Sequence, residues 1–253
     1  MTMGGVPEAG GVVYTVALTS CGRFDLLDAT LRSLIDHLDV PPAEIVVIED
    51  GGDERVREVA ARQSVPVRVM VNGERLGQMA SIDRLYASIE TPYVFHCEDD
   101  WEFFRKGFIA ESARILEARP DISMVSLRDL QELNPLVRGS ELEEVGGVPC
   151  YPLDTRLHPE YFGYSFNPGL RRLSDFRAAA PIEAIGGEED ISYWFRKRGF
   201  RYAVLGNPAV RHIGWERHVD DPTKPRRPRS LPERLARSVR KRVKRLRRLF
   251  GGA

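Results

Sequence analysis

YVFHCEDD, residues 93 to 100, runs from an apolar stretch straight into three consecutive acids. Tyr93 to Cys97 reads as a short buried strand, and Glu98, Asp99 and Asp100 then sit at its carboxyl end. Two earlier stretches have the same form. Val12 to Leu18 (VVYTVAL) leads into the polar turn Thr19-Ser20-Cys21-Gly22-Arg23, and Glu44 to Ile48 (EIVVI) leads into Glu49-Asp50-Gly51-Gly52. Between them the apolar spacing changes to that of helices, over Leu26 to Leu38 with Asp25 as a plausible N-cap, over 53 to 63, and over Gln78 to Ser88. With a further strand over Val65 to Val71, the order is β-α-β-α-β. Strands alternating with helices at this spacing predict an α/β fold with a mainly parallel central sheet flanked by helices.

The rest of the chain is less regular. A helix is expected over Arg105 to Ala118 and a strand over Ile122 to Leu127. Residues 128 to 165 hold several Pro and Gly without a period and read as one long connection, the kind that often serves as a lid or binding loop. Order returns near Arg171 to Ala179, with a helix over Glu188 to Arg198 and a strand over Tyr202 to Leu205. The expected division is a flexible N-terminus (1–11), one α/β domain (12–221), and a Pro-containing linker with a basic tail (222–253).

The chain has 253 residues, 42% hydrophobic and 29% charged, a composition of soluble globular proteins. No stretch nears the roughly 20 apolar residues of a membrane span, and MTMGGVPEAGG lacks the regions of a signal peptide, so a cytoplasmic location is expected. Cys21, Cys97 and Cys150 have neither the number nor the spacing of a disulfide framework or zinc site.

Zero net charge conceals an asymmetry. Lys224 to Arg248 holds 13 Lys and Arg against one acid, Glu233, leaving 24 basic residues against 36 acidic ones elsewhere. Ser230-Leu231-Pro232-Glu233 has the form of a capping box. Beyond it Leu231, Leu235, Val239, Val243, Leu246 and Phe250 recur at helical spacing, giving a basic amphipathic helix. An anionic membrane surface is the expected partner of residues 230–250, at the inner membrane face. A solvated tail, or a helix folded onto its own acidic body, is the bland alternative. Nucleic acid is not expected, since stacking aromatics are missing.

Ligands of open α/β sheets bind beyond the carboxyl ends of the strands. Three such ends here carry Thr19 to Arg23, Glu49-Asp50 and Glu98 to Asp100. Isolated acidic triplets are usually solvated loops or helix caps. Packed carboxylates, however, repel one another unless a cation sits among them, and Mg binds through one or two carboxylates plus substrate phosphates.

These features, in their order, resemble the family 2 glycosyltransferases of GT-A fold. Leu18 to Arg23 resembles the first nucleotide-binding turn, followed by the helix LLDATLRSL. Glu49-Asp50-Gly51-Gly52 is similar to the DDGS element, and Asn72, Gly77 and the helix through Asp83 resemble NxGxxxARN, with Asp83 where Asn is usual. Glu98-Asp99-Asp100 falls at the DxD motif. GGEED, Gly186 to Asp190, followed by ISYWFRKRGF, is similar to the acidic motif that opens a helix and supplies the general base. Counting back from Arg198-Gly199 selects Glu188, whereas the local ED pair selects Asp190, so Glu188, Glu189 and Asp190 stand as a set. His212 in AVRHIGW resembles a further metal ligand, beside the alternative of a structural histidine.

The resemblance implies transfer of a sugar from a nucleotide-diphosphate donor to a carbohydrate, lipid-linked or other acceptor hydroxyl, with inversion. It implies a divalent metal, Mg or Mn, held by Asp100, Asp99 and His212. Nucleotide-sugar contacts would come from Thr19, Ser20, Arg23, Glu49, Asp50, Asn72, Gly77, Asp83, Glu98 and Asp99. Trp101 and Tyr161 to Phe166 are candidates for a sugar platform, beside the commoner alternative of aromatic packing. Two other readings stay open: a nucleotidyltransferase of similar fold, and a nucleotide-sugar binding module without catalysis.

Overall fold

The computed structural model describes residues 11–157, 163–217, 219, 221, 223 and 230–250. Expectations that fall on 1–10, on Tyr161 and Phe162, on most of the linker and on the Phe250 side chain lie outside the described residues.

The first half follows the expected rhythm: β1 (Tyr14–Ser20), α1 (Phe24–His37), β2 (Glu44–Glu49), α2 (Val56–Ala61), β3 (Val67–Val71), α3 (Gln78–Ala87) and β4 (Tyr93–Glu98). The second half holds β5 (Trp101–Phe103), α4 (Phe108–Ala118), β6 (Ile122–Ser126), β7 (Glu143–Val145), β8 (Val148–Pro152), β9 (Gly169–Arg172), α5 (Leu173–Arg177), α6 (Ile182–Ile185), α7 (Glu188–Lys197), β10 (Arg201–Leu205), β11 (Val210–His212) and α8 (Leu231–Phe250).

Nine strands form one sheet in the order β3-β2-β1-β4-β9-β6-β10-β8-β7. The β3-β2-β1-β4 half is parallel throughout, and β9 then enters antiparallel to both β4 and β6. The side chains of β1 divide between two cores. Val16 and Leu18 pack with Leu27 and Leu31 of α1, whereas Ala17 faces Ile82 and Leu85 of α3. Burial on both faces is why the central strands read as apolar runs rather than as alternating patterns.

The 128–165 connection is more ordered than its sequence indicates. It holds two single-turn 3-10 helices, Leu130–Glu132 and Pro135–Val137, and the hairpin β7-β8, which pairs with β10 and extends the sheet. Gly146 and Gly147 make its turn at φ 59° and 72°, a left-handed pair that a two-residue hairpin requires. Asp25 does not cap α1; Arg23 occupies the N-cap without a side-chain cap, and Asp25 pairs with Arg217.

β5 and β11 form a separate two-stranded ribbon in which His212 lies opposite Trp101 and Arg211 opposite Glu102. This pairing brings residue 212 beside the acidic turn.

Candidate active site

Parallel register aligns the acidic strand ends. Ser20 lies opposite Glu49, and Thr19 opposite Glu98, so β2, β1 and β4 end at one edge of the sheet. Glu49 is fully buried, and its Oε1 accepts from Gly22 N (3.0 Å) and Gly51 N (2.8 Å), tying the first two turns together. Burial raises its pKa above the ordinary carboxylate value, opposed by the hydrogen bonds from those two amides.

Asp50 is turned inward. It accepts from Asn72 Nδ2 (2.9 Å), Leu76 N (2.8 Å), Gly77 N (2.9 Å) and Ser81 Oγ (2.8 Å), and so fixes the loop that starts α3. Asn72 is fully buried in the same network, with its Oδ1 accepting from Arg84. Asp83 faces elsewhere, receiving Ile182 N (2.9 Å) and Glu183 N (3.0 Å) at the start of α6. Of the residues expected to contact donor, Asp50, Asn72 and Asp83 thus spend these contacts on the protein's own backbone and side chains.

At the acidic turn the nearest cation is Arg23. Its Nη1 donates to Asp100 Oδ2 (2.7 Å) and to Arg217 O (3.1 Å), while Nη2 donates to Asp99 Oδ1. Asp99 is 1% exposed, and burial pushes its pKa up to about 6 even though Arg23 opposes the rise. Asp100 is also pushed up by burial, but a hydrogen bond from His212 and the Arg23 guanidinium outweigh that, leaving it below the ordinary value. No helix follows Asp100, so it is not a cap.

Glu98 is only partly buried by surface exposure and accepts from Gln78 Nε2 (2.8 Å). Desolvation, followed by the carboxylates of Asp100, Glu188 and Asp99, pushes its pKa up to about 8. With no cation bound, a carboxyl so displaced keeps its proton at neutral pH.

His212 Nε2 stands 3.3 Å from Asp100 Oδ2, and Asp100 Oδ1 and His212 Nδ1 are both buried without a hydrogen-bond partner. An orphaned carboxylate oxygen beside an imidazole is a donor set that suits a divalent cation whose remaining ligands are phosphate oxygens and water. Among the described residues no group of three His, Cys, Asp or Glu side chains could hold a metal ion. Asp100 and His212 are the residues here that could contribute to holding one. Asp99 is engaged by Arg23 and by Cys21 N (3.4 Å).

The set Glu188, Glu189 and Asp190 is separated by helix geometry. Glu188 opens α7, with its Oε1 accepting from Phe166 N (2.9 Å), and it is close enough to raise the pKa of Glu98. Glu189 is exposed. Asp190 folds back over Gly186, where an added Cβ would lie 2.7 Å from its Oδ2. Of the three, Glu188 joins the acidic turn.

Arg23, expected among the nucleotide-sugar contacts, also serves as counter-ion of the acidic turn, and one residue with an evident role, Arg171, escaped the sequence reading. Arg171 is fully buried and donates to Ser165 O and Asn167 O (both 3.1 Å), with its guanidinium over the rings of Tyr164, Phe166 and Phe176. It holds the loop whose Phe166 amide grips Glu188. Its signal is a pair of arginines, Arg171-Arg172, in an otherwise apolar strand. The proposed sugar platform is not formed by Trp101, Tyr164 or Phe166, all fully buried.

Residues 15–166 match the family model described as Glycosyl transferase family 2. The chain belongs to glycosyl transferase family 2. Solved structures of GT-A glycosyltransferases share its fold. One is the mannosyltransferase PcManGT from Pyrobaculum calidifontis, in complex with GDP-Man and Mn2+, at 11% identity and TM-score 0.59, covering 83% of this chain and 59% of that one. Another is GalNAc-T7 with UDP, GalNAc and Mn2+, at 16% identity and TM-score 0.60, covering 81% and 44%. A third is S. aureus TarS 1-349 in complex with UDP-GlcNAc, at 13% identity and TM-score 0.57, covering 82% and 62%. The chain thus spans less than two thirds of each of these three. No curated protein sequence matches it.

Proposed function

We propose that this family 2 member transfers a sugar from a nucleotide-diphosphate sugar to an acceptor hydroxyl, carbohydrate, lipid-linked or other, with inversion at the anomeric carbon. The observation that carries the reading is the meeting, at one edge of the sheet, of the Asp100–His212 pair with Glu98 and with Glu188, whose charge acts on Glu98. Family membership and the nucleotide-sugar and Mn2+ complexes of the structural neighbours support it.

Asp100 and His212 are the residues that would hold a divalent cation, Mg or Mn, which when bound supplies charge neutralisation to the departing diphosphate. Arg23 brings a second positive charge to the same place. Thr19, Ser20 and Glu49, at the adjoining strand ends, would lie toward the nucleoside. Glu188, oriented by the Phe166 amide, accepts the proton of the acceptor hydroxyl, a role worth about 10² to 10⁴ in rate. The acceptor oxygen forms its bond to the anomeric carbon as the bond to the diphosphate breaks on the opposite side, and this displacement inverts configuration.

The test is a panel of nucleotide sugars, with Mn or Mg, followed by donor binding, hydrolysis and transfer. Glu188→Gln should keep donor binding and lose turnover by roughly 10² to 10⁴, and Asp100→Asn should lose the metal dependence of binding. Full turnover in Glu188→Gln, or a product with retained anomeric configuration, would overturn the mechanism.

A further inference from the structure

We propose that α8 is an interfacial anchor that lays one face into an anionic lipid surface. The helix is pre-built at its start. Ser230 Oγ accepts from Glu233 N (3.4 Å), and Glu233 Oε2 accepts from Ser230 N (3.2 Å), a reciprocal cap at the first turn. Twenty helical residues follow, about 30 Å of rod.

The apolar positions share one side and point outward. Leu231 is 74% exposed, Leu235 67%, Val239 56%, Val243 41% and Leu246 53%. A helix packed on its own acidic body would cover that stripe instead. The same 20 residues contain nine Lys and Arg against Glu233 alone. A stripe of Leu and Val bordered by cations complements a surface that is apolar inside and negative at its face. Nucleic acid has no use for the stripe. No described helix is long and apolar enough to cross a membrane, so α8 lies along the surface rather than through it. The cytoplasmic leaflet, which carries anionic lipid, is the surface of matching charge.

The test is flotation of the full chain with phosphatidylcholine vesicles, alone or mixed with phosphatidylglycerol, at physiological and raised salt. Binding should need the anionic lipid and weaken with salt. Lys241→Gln/Arg242→Gln should weaken it roughly thirty-fold, each surface cation being worth roughly five-fold. Leu235→Gln/Val239→Gln keeps charge and helix propensity, and should abolish flotation while melting temperature and donor binding stay at wild type. Failure to float with anionic vesicles overturns the proposal, as does equal binding to neutral ones. So does a fall in melting temperature of the stripe variant, which would mean that α8 packs on the body, or RNA binding that the stripe variant leaves intact. The proposal does not depend on the transfer chemistry: flotation reports on the anchor, and donor turnover on the acidic turn.

Discussion

Replacing Arg23 by Met tests the electrostatics of the acidic turn directly. The guanidinium bridges two buried carboxylates, with side-chain exposures of 17% for Arg23, 2% for Asp99 and 8% for Asp100. Removing one partner of a buried pair destabilises by about 3–5 kcal/mol, because the remaining charge is stranded. Asp100 keeps His212, whereas Asp99 keeps only the long contact from Cys21 N, so the lower figure of about 3 kcal/mol applies. For a chain of this size that is a fall of about 6–12 °C in melting temperature. The pH dependence has a defined sign. Asp99 already titrates at about 6 against an ordinary 3.8, and without Arg23 it rises further. The folded variant therefore holds a proton that the unfolded chain has released, and its stability falls as pH rises through that interval. Thermal melts in EDTA from pH 5 to 8 should show a deficit that is small at pH 5 and largest at pH 8. A variant that melts with wild type throughout, or whose deficit grows on acidification, would refute the reasoning.

Glu98→Gln removes a carboxyl whose proton is held up to about pH 8. The metal-free variant should match wild type near pH 5 and exceed it in stability by a few kcal/mol at pH 9, since one unit of pKa displacement is worth about 1.4 kcal/mol; urea unfolding at both pH values checks this. Asp50→Ala orphans Leu76 N and Gly77 N and strips two side-chain partners, at about 1–3 kcal/mol for each unsatisfied buried group. Its urea midpoint should fall sharply, and Asp50→Asn should recover part of the loss.

The fold was legible where burial on both faces wrote itself as apolar runs: β1, β2 and β4 needed no tertiary knowledge. The misread region was 128–165, where β7 has three residues and β8 carries both Pro149 and Pro152, too little to show a period. Gly146-Gly147 was the available signal for its hairpin. At the site, the acids of three strand ends were readable because parallel strands must deliver their carboxyl ends to one edge. The partners of those acids were not. Asp83 reaches the start of α6 some hundred residues away, and Arg23 meets Asp99 across two strand ends, contacts that only the folded chain defines. The choice among Glu188, Glu189 and Asp190 required the orientation of α7, which places Glu188 on the Phe166 amide and Glu189 on the exposed side.

The β5–β11 ribbon makes the order of synthesis matter. Asp100 leaves the ribosome more than a hundred residues ahead of His212, and only when β11 docks on β5 does the imidazole arrive. Closing so long a loop adds little entropy beyond that of a shorter one, because the penalty grows only with the logarithm of length. The delay is the larger effect. A nascent or truncated chain ending before residue 210 would display the whole acidic turn, with Arg23 available to quieten it, and would lack the imidazole of the proposed cation site.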